Sequence, residues 1–428
     1  MIFGLPKYGK DVGFRRLLAY CDVERIDLAR IGRSAIVVTG SNGKGSTARF
    51  VYECLRANVE RVGCFTSPHL FAINERFEIS GVEIDGATLA SYSNRVLAFH
   101  ATLQRQNDGL GAFEALFLIA LSWFHDCEVD CTVWEAGIGG RYDPVRVLRS
   151  PIAALTSIDL EHTELLGATR QLIAFDKLDA TRPGSRTFVS AAVDAQLAPD
   201  LEAYGRVTDR SLAFIRAAAV ADVVHDRDRT RYRLSLPDRA DCLNVAIPLA
   251  GMHQVHNSVT ALHVIDAFLA RWDTEATLRA LERIRWPGRL ERIHHDPEIW
   301  IDVGHTPEAI TRVTETLTSL FDARELLVVF GVSDNKAIAE IARIVRSHFP
   351  HVLVTRAYKH GSDPERLSEE FAPSQLAGVT RTIEEAVARS QSIAAARGWK
   401  IAVIGGLFLS IEFAQVIRGG DPRTLDFF

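Results

Sequence analysis

The sequence predicts an α/β protein of two domains, residues 1–288 and 289–428, each built on an open and mostly parallel sheet flanked by helices. Three observations carry this expectation. The chain has 428 residues, more than one small core accommodates. A glycine-rich turn, Thr39-Gly40-Ser41-Asn42-Gly43-Lys44-Gly45-Ser46-Thr47, joins a short apolar run to a segment of helical spacing. After Trp286-Pro287-Gly288, a proline-glycine punctuation, strand-like and helix-like segments alternate in a regular rhythm.

In chain order, Gly13 to Leu28 reads as an amphipathic helix on the spacing of Phe14, Leu17, Leu18 and Cys21. Ala35 to Val38 is a buried strand, and the residues after Ser46 form the helix that follows the turn. Arg61 to Thr66 is a second strand, leading into the polar turn Ser67-Pro68-His69-Leu70. Asp85 to Gln106 reads as a solvated helix and Ala112 to Phe124 as an apolar one. Cys131 to Trp134, Ile152 to Ile158 and Thr187 to Ala192 are further strands, and Val220 to Pro248 suggests a small antiparallel addition. In the second domain the strands fall at Ile299–Val303, Leu326–Gly331, Val352–Thr355 and Ile401–Ile404, separated by helices.

The turn at Gly40–Thr47 carries the first chemistry. Between a strand and a helix the backbone exposes N–H groups at a helix N-terminus, which favours an anion. The glycines allow close approach, Lys44 adds a charge for outer phosphates, and Ser46 or Thr47 offers a hydroxyl to Mg²⁺. A glycine-rich turn alone is a weak signal, and one glycine separates Lys44 from Ser46, which departs from the commonest P-loop spacing. Strand, glycines, lysine, hydroxyls and helix together point to ATP or a close relative. Two polar groups follow strands, where open α/β sheets bind ligands: Ser67 and His162. Glu114, a carboxylate among Phe113, Leu116 and Phe117, has two readings: a metal ligand, or a cap of backbone donors at a helix start.

Composition narrows the class. Hydrophobic residues at 47% and charged residues at 24% are ordinary for a globular protein. A net charge of −5 gives no reason to expect nucleic acid or an anionic membrane as partner, and no apolar run approaches a bilayer span. Six scattered cysteines without a C-x-x-C pair, and a beginning without a signal-peptide pattern, fit a reducing cytoplasm. Cys127 and Cys131 read as buried thiols rather than metal ligands, with no second Cys/His pair beside them to complete a metal site.

Taken in order, these motifs resemble the folylpolyglutamate synthase and dihydrofolate synthase family, a branch of the Mur ligases, over nearly the whole chain. The resemblance rests on the Thr39–Thr47 turn, Ser67-Pro68-His69-Leu70, Asn74-Glu75-Arg76-Phe77, Phe113-Glu114 and Glu135-Ala136-Gly137-Ile138-Gly139-Gly140-Arg141. It continues through Ser157–Gly167, Lys177, Gly251-x-His253-Gln254-x-x-Asn257, Pro287-Gly288-Arg289, Asp302-x-Gly304-His305-x-Pro307 and Phe330-Gly331.

It implies a P-loop central domain of the Mur ligase type and a smaller Rossmann-like α/β domain. It also implies an ATP-dependent ligase that adds an amino acid, glutamate in the favoured reading, to a small carboxylate through an acyl phosphate. Ser41, Asn42, Gly43, Lys44, Gly45, Ser46 and Thr47 would hold the nucleotide phosphates. Mg²⁺ would be bound by Ser67, Glu114 and His162 with Ser46 close by, and Lys177 would be carbamylated and help hold a second metal. Asn257, Arg289, Asp302 and His305 would face ATP from the second domain and the junction. Lys44, Lys177, His162 and His305 are the candidate catalytic groups, and Arg76, Arg141, Asp143, Arg146 and Thr306 the candidate substrate contacts. A monomer is expected.

The departures from the family pattern bear on the substrate. Asp143-Pro144-Val145-Arg146 stands where the family usually has Asp-Ala-Thr-Asn, and His305-Thr306-Pro307 where it has His-Asn-Pro. Asp176-Lys177-Leu178-Asp179 surrounds the lysine, and Asp334-Asn335-Lys336 replaces Asp-Lys-Asp. Arg146 either recruits an acidic substrate or pairs with a surface carboxylate. Two alternatives to folate ligation therefore stand: a ligase of another carboxylate or amino acid, and a nucleotide-binding regulatory protein without turnover.

Overall fold

In the computed structural model, which describes residues 2–9, 12–237, 239–334 and 336–425, two sheets organise the chain. The first is formed by β1 (Ala35–Thr39), β2 (Val62–Phe65), β3 (Phe77–Ile79), β4 (Val82–Glu83), β5 (Cys131–Glu135), β6 (Ile152–Leu155), β7 (Ser185–Val189) and β8 (Arg210–Phe214). Their order is β4-β3-β2-β5-β1-β6-β7-β8, parallel from β2 to β8, with β3 and β4 antiparallel at one edge. β1 lies between β5 and β6 and is buried along its length. Its side chains alternate between two apolar clusters, Ala35 and Val37 on one face and Ile36 and Val38 on the other. Hence the run of consecutive β-branched residues: a strand covered on both faces has no polar side.

A three-stranded antiparallel sheet, β9 (Val220–His225), β10 (Thr230–Leu234) and β11 (Leu243–Ile247), packs into the second of these clusters. The last sheet has β12 (Glu291–His295), β13 (Glu298–Ile301), β14 (Leu326–Phe330), β15 (Val352–Val354), β16 (Leu376–Val379) and β17 (Lys400–Ile404) in the order β12-β13-β17-β14-β15-β16. Only β12 runs antiparallel to its neighbour. Leu326, Val328 and Phe330 face one cluster and Leu327 and Val329 the other, the same two-sided burial as in β1.

The mixed edge, β8, β12 and β16 extend the sheets beyond the strands read from sequence, and the early helix is divided into Arg15–Glu24 and Leu28–Arg33. Of the two thiols expected to be buried Cys131 is, whereas Cys127, at the end of the helix Ala112–Asp126, is exposed. Among the described residues no helix is long and apolar enough to cross a membrane. Asn335, singled out by the Asp334–Lys336 departure, lies outside the described residues.

Candidate active site

The carboxyl end of β1 turns through Gly40 and Gly43 into the helix Lys44–Arg56. Both glycines have positive φ, +147° and +82°, and neither has room for a side chain. A Cβ on Gly40 would lie 1.9 Å from Thr156 Oγ1, and one on Gly43 would lie 2.5 Å from Asn257 Oδ1. The loop is held from β6: Ser41 N–H donates to the Ser157 carbonyl at 2.9 Å and Asn42 N–H to Ser157 Oγ at 2.8 Å. Lys44 folds back over the turn, donating from Nζ to the carbonyls of Gly40 and Ser41 at 2.9 and 3.1 Å.

Gly45 explains the unusual spacing. A Cβ there would stand 3.4 Å from both carboxylate oxygens of Glu135 and 3.1 Å from the Trp286 ring. The helix therefore lets a buried carboxylate come up against its first turn. Glu135 ends β5, is 3% exposed, and accepts the Ser67 N–H at 2.8 Å. Burial pushes its carboxyl up to about 6, against the pull of Lys44, the Ser67 amide and Arg289.

Lys177, on the helix Arg170–Leu178, is 1% exposed and reaches the same loop from behind. Its Nζ donates to the Gly40 carbonyl at 3.0 Å and to Glu161 at 2.7 Å. Burial, helped by Lys44, pushes the amine down to about 8 despite Glu161. Burial pushes Glu161 the other way, but Lys44 and Lys177 hold its carboxyl below the ordinary value. His162 follows with φ +43°, lowered mainly by burial and further by Lys7, Lys336 and Lys44.

The facing wall comes from the second sheet. Asp302, at the end of β13, accepts from Gly304 N–H at 2.7 Å and Leu290 N–H at 3.0 Å, and burial raises its pKa against Arg289. His305 Nδ1 lies 3.3 Å from the Val303 carbonyl, and burial pushes its ring down to about 4. Between the walls is a cleft of about 620 Å³. Ser41 through Ser46, Ser67, His162, Asn257, Arg289, Asp302, His305 and Thr306 all line it, as does Glu135. Thr47 is fully buried and does not line the cleft, and its hydroxyl has no partner among the described residues.

Several expectations are corrected here. Glu114 does not line the cleft. It sits in the first turn of the helix Ala112–Asp126, accepts the Gly111 N–H at 2.8 Å and pairs with Arg16 at 3.1 Å, so the capping reading holds. Glu135 takes the place expected for it beside Ser67. Its signal was in the sequence, as an acid at the end of a buried strand on the ligand-binding edge. Asp143 holds the turn before it, accepting from Gly137, Ile138 and Val145 N–H at 2.8, 3.1 and 3.0 Å. Arg141 reaches Asp179 at 2.8 Å and Tyr204 at 3.1 Å. Arg146 donates to the Arg141 carbonyl at 2.8 Å, stands outside the lining of the cleft, and has no carboxylate partner among the described residues. Arg76 is buried with Nε 2.8 Å from His69 Nδ1, and its charge acts on Glu135 and Glu75, both of which line the cleft.

Among the described residues no cluster of three or more His, Cys, Asp or Glu side chains is assembled for a metal ion. Mg²⁺ does not require one, since it keeps several waters and usually takes one or two carboxylates plus substrate phosphates. The Glu135 carboxylate, with the hydroxyl-bearing Ser46 and Ser67 lining the same cleft, is a donor set that fits such an ion.

Comparison with known proteins agrees with this architecture. Residues 38–265 match the Mur ligase middle domain and residues 288–406 the Mur ligase glutamate ligase domain. The chain is 33% identical over 394 residues to a probable bifunctional folylpolyglutamate synthase/dihydropteroate synthase of Halobacterium salinarum, covering 90% of this chain and 47% of that protein. The chain thus spans about half the length of this relative and of a similar one from Haloferax volcanii (48%). It is 30% identical over 348 residues to a dihydrofolate synthase/folylpolyglutamate synthase of Haemophilus influenzae, covering 76% of this chain and 74% of that one. The solved structure of Mycobacterium tuberculosis folylpolyglutamate synthase complexed with ADP superposes with a TM-score of 0.87 at 28% identity, covering 97% of this chain and 96% of that one.

Proposed function

Because the chain belongs to the folylpolyglutamate synthase and dihydrofolate synthase family, a branch of the Mur ligases, we propose that it is an ATP-dependent ligase joining glutamate to dihydropteroate or a folate. The observation that carries this reading is the meeting of Lys44, Ser67 and Glu135 at one end of a cleft whose opposite wall, Asp302 to Thr306, comes from the second sheet. The division at residue 288, a monomeric state and a cytoplasmic location belong to the same reading.

The reaction must bring two anions together, a substrate carboxylate and the nucleotide γ-phosphate. A carboxylate oxygen attacks the γ-phosphorus, the bond to the bridging oxygen breaks and ADP leaves, giving an acyl phosphate. The amine of glutamate then adds to the acyl carbon, loses its proton, and the tetrahedral intermediate expels inorganic phosphate. The loop amides at Gly43–Ser46 and Lys44 hold the phosphates and offset charge as it shifts to the bridging oxygen. Asn257, which stands beside Gly43 on the P-loop side, together with Arg289, Asp302 and His305 from the other wall, holds the nucleoside side, and the enclosure keeps water from the acyl phosphate.

Ser46, Ser67, Glu135 and His162 would hold Mg²⁺, which when bound supplies positive charge between the two anions. Lys177 is buried with a lowered pKa, so an appreciable share of its amine is neutral near pH 7.5, the form that adds CO₂ to give a carbamate. Burial holds His305 neutral at that pH, so it serves by hydrogen bonding rather than by charge.

Isothermal titration with a non-hydrolysable ATP analogue present tests the acceptor. Dihydropteroate or a reduced folate is expected to bind, and binding of another carboxylate in their place would turn the reading to a ligase of that acid.

A further inference from the structure

Thr306 opens the helix Pro307–Leu320 and caps it, accepting the Ala309 N–H at 3.2 Å. Its hydroxyl proton goes across the cleft, to the side-chain oxygen of Asn42 in the P-loop at 3.2 Å. The backbone of Asn42 is fixed from the other side: its carbonyl accepts Thr156 Oγ1 at 2.6 Å and Ser157 Oγ at 3.1 Å. Two residues beyond Thr306, the Glu308 carboxyl meets that of Asp159, whose backbone N–H donates to Ser41 Oγ at 2.9 Å. The first turn of this helix therefore rests on the P-loop directly through Asn42 and, by way of Asp159, on Ser41. The carboxamide of Asn42 is left with its NH₂ group buried and without a partner among the described residues, a costly arrangement unless a ligand oxygen completes it.

We infer that Thr306 is a positioning residue: by holding the Asn42 oxygen it commits the Asn42 NH₂ group to the terminal phosphoryl group of the bound nucleotide. The phosphate site is then complete only when the two domains are together, and the second domain reads the γ-phosphate without touching it. This rests on the ligase reading above and adds to it a specific coupling between closure and phosphoryl binding.

The test compares ADP, which lacks the γ-phosphoryl group, with the analogue AMPPCP, which has it, in titrations of the full chain. Thr306→Val and Asn42→Ala are each expected to weaken AMPPCP about tenfold, the worth of one hydrogen bond to a charged group, while ADP binding stays within about twofold. The double variant is expected to be no weaker than Asn42→Ala alone. Thr306→Ser keeps the hydroxyl and should restore wild-type affinity. Thr306→Asp keeps the helix cap but offers Asn42 only an acceptor, so it should turn the carboxamide over and lose the same discrimination. Equal losses for ADP and AMPPCP, wild-type behaviour of Thr306→Asp, or losses that multiply in the double variant would overturn the inference. A wild-type chain that discriminates as described yet ligates no pteridine would leave the inference standing and remove the folate reading.

Discussion

Glu135 and Glu114 are both carboxylates set among apolar residues of the first domain, and they do opposite things. Glu114 spends its oxygens on Gly111 N–H and Arg16, so it is finished inside the protein. Glu135 takes one Ser67 N–H, is buried against Lys44, and is raised to about 6 by an environment that only partly compensates its charge. A carboxylate left short of partners at a cleft is strained toward a ligand, whereas a satisfied one is structure. The same contrast separates Lys177, held at the P-loop with a lowered pKa, from Arg141 and Arg146, which tie down their own loop.

The sharpest way to break this contrast is to neutralise each side in turn. Lys44→Ala and Glu135→Gln are each expected to lower ATP-dependent turnover by roughly 10²–10³-fold, the usual size for losing one charge-stabilising group. Glu114→Gln should leave turnover within about threefold. Its effect should appear instead in thermal unfolding, since it weakens the partner of buried Arg16 at a cost of about 1–3 kcal/mol.

Lys177→Ala is expected to lose most turnover and to recover part of it with added acetate or formate, which would occupy the place of a carbamate. Steady-state rates across a titration of each acid measure this. Absence of rescue, together with an intact mass showing no CO₂ adduct under mild conditions, would count against carbamylation.

A smaller effect lies in the pH dependence. Glu135 binds its proton more tightly in the folded chain than in the unfolded one, so the stability it contributes is present at low pH and is lost as pH rises through about 6. Glu135→Gln removes that loss and should raise stability at pH 7.5 by about 2 kcal/mol, read as a higher melting temperature, while turnover collapses. Lys177 runs the other way: its folded pKa is depressed to about 8, so its protonation weighs against the fold below that pH, and turnover that needs its neutral amine should rise toward pH 8. Rates and melting curves from pH 5.5 to 8.5 check both signs.

The smallest effect is expected at Arg146. Arg146→Ala should change the KM for the acceptor by less than about twofold, because among the described residues the side chain neither lines the cleft nor pairs with a carboxylate. A larger rise would restore its substrate role and redraw the boundary of the site.

The sequence made the buried parallel strands legible because unbroken runs such as Ala35–Val38 and Leu326–Phe330 have no competing pattern. Edge strands were harder. Glu291–His295 carries polar residues at four of five positions and is only partly buried, as an outer strand with one solvated side can be. The lining of the cleft was legible where chemistry coincided with position, as in Ser41–Ser46, Ser67, His162, Asp302 and His305, which the fold brings to one cleft. Glu114 misled because its burial among apolar residues is visible in sequence, whereas Arg16, which answers its charge from 98 residues away, is not. Glu135 sat at the end of a strand on the ligand edge, and weighing position above hydrophobic context would have found it.

The most direct test of the whole account is ADP formation by the purified chain with Mg²⁺-ATP and glutamate, comparing dihydropteroate, a reduced folate and no acceptor. The account predicts ADP only when a pteridine acceptor is present, with a product heavier by one glutamyl unit. ADP release at the same rate without an acceptor, or none with either pteridine, would contradict it.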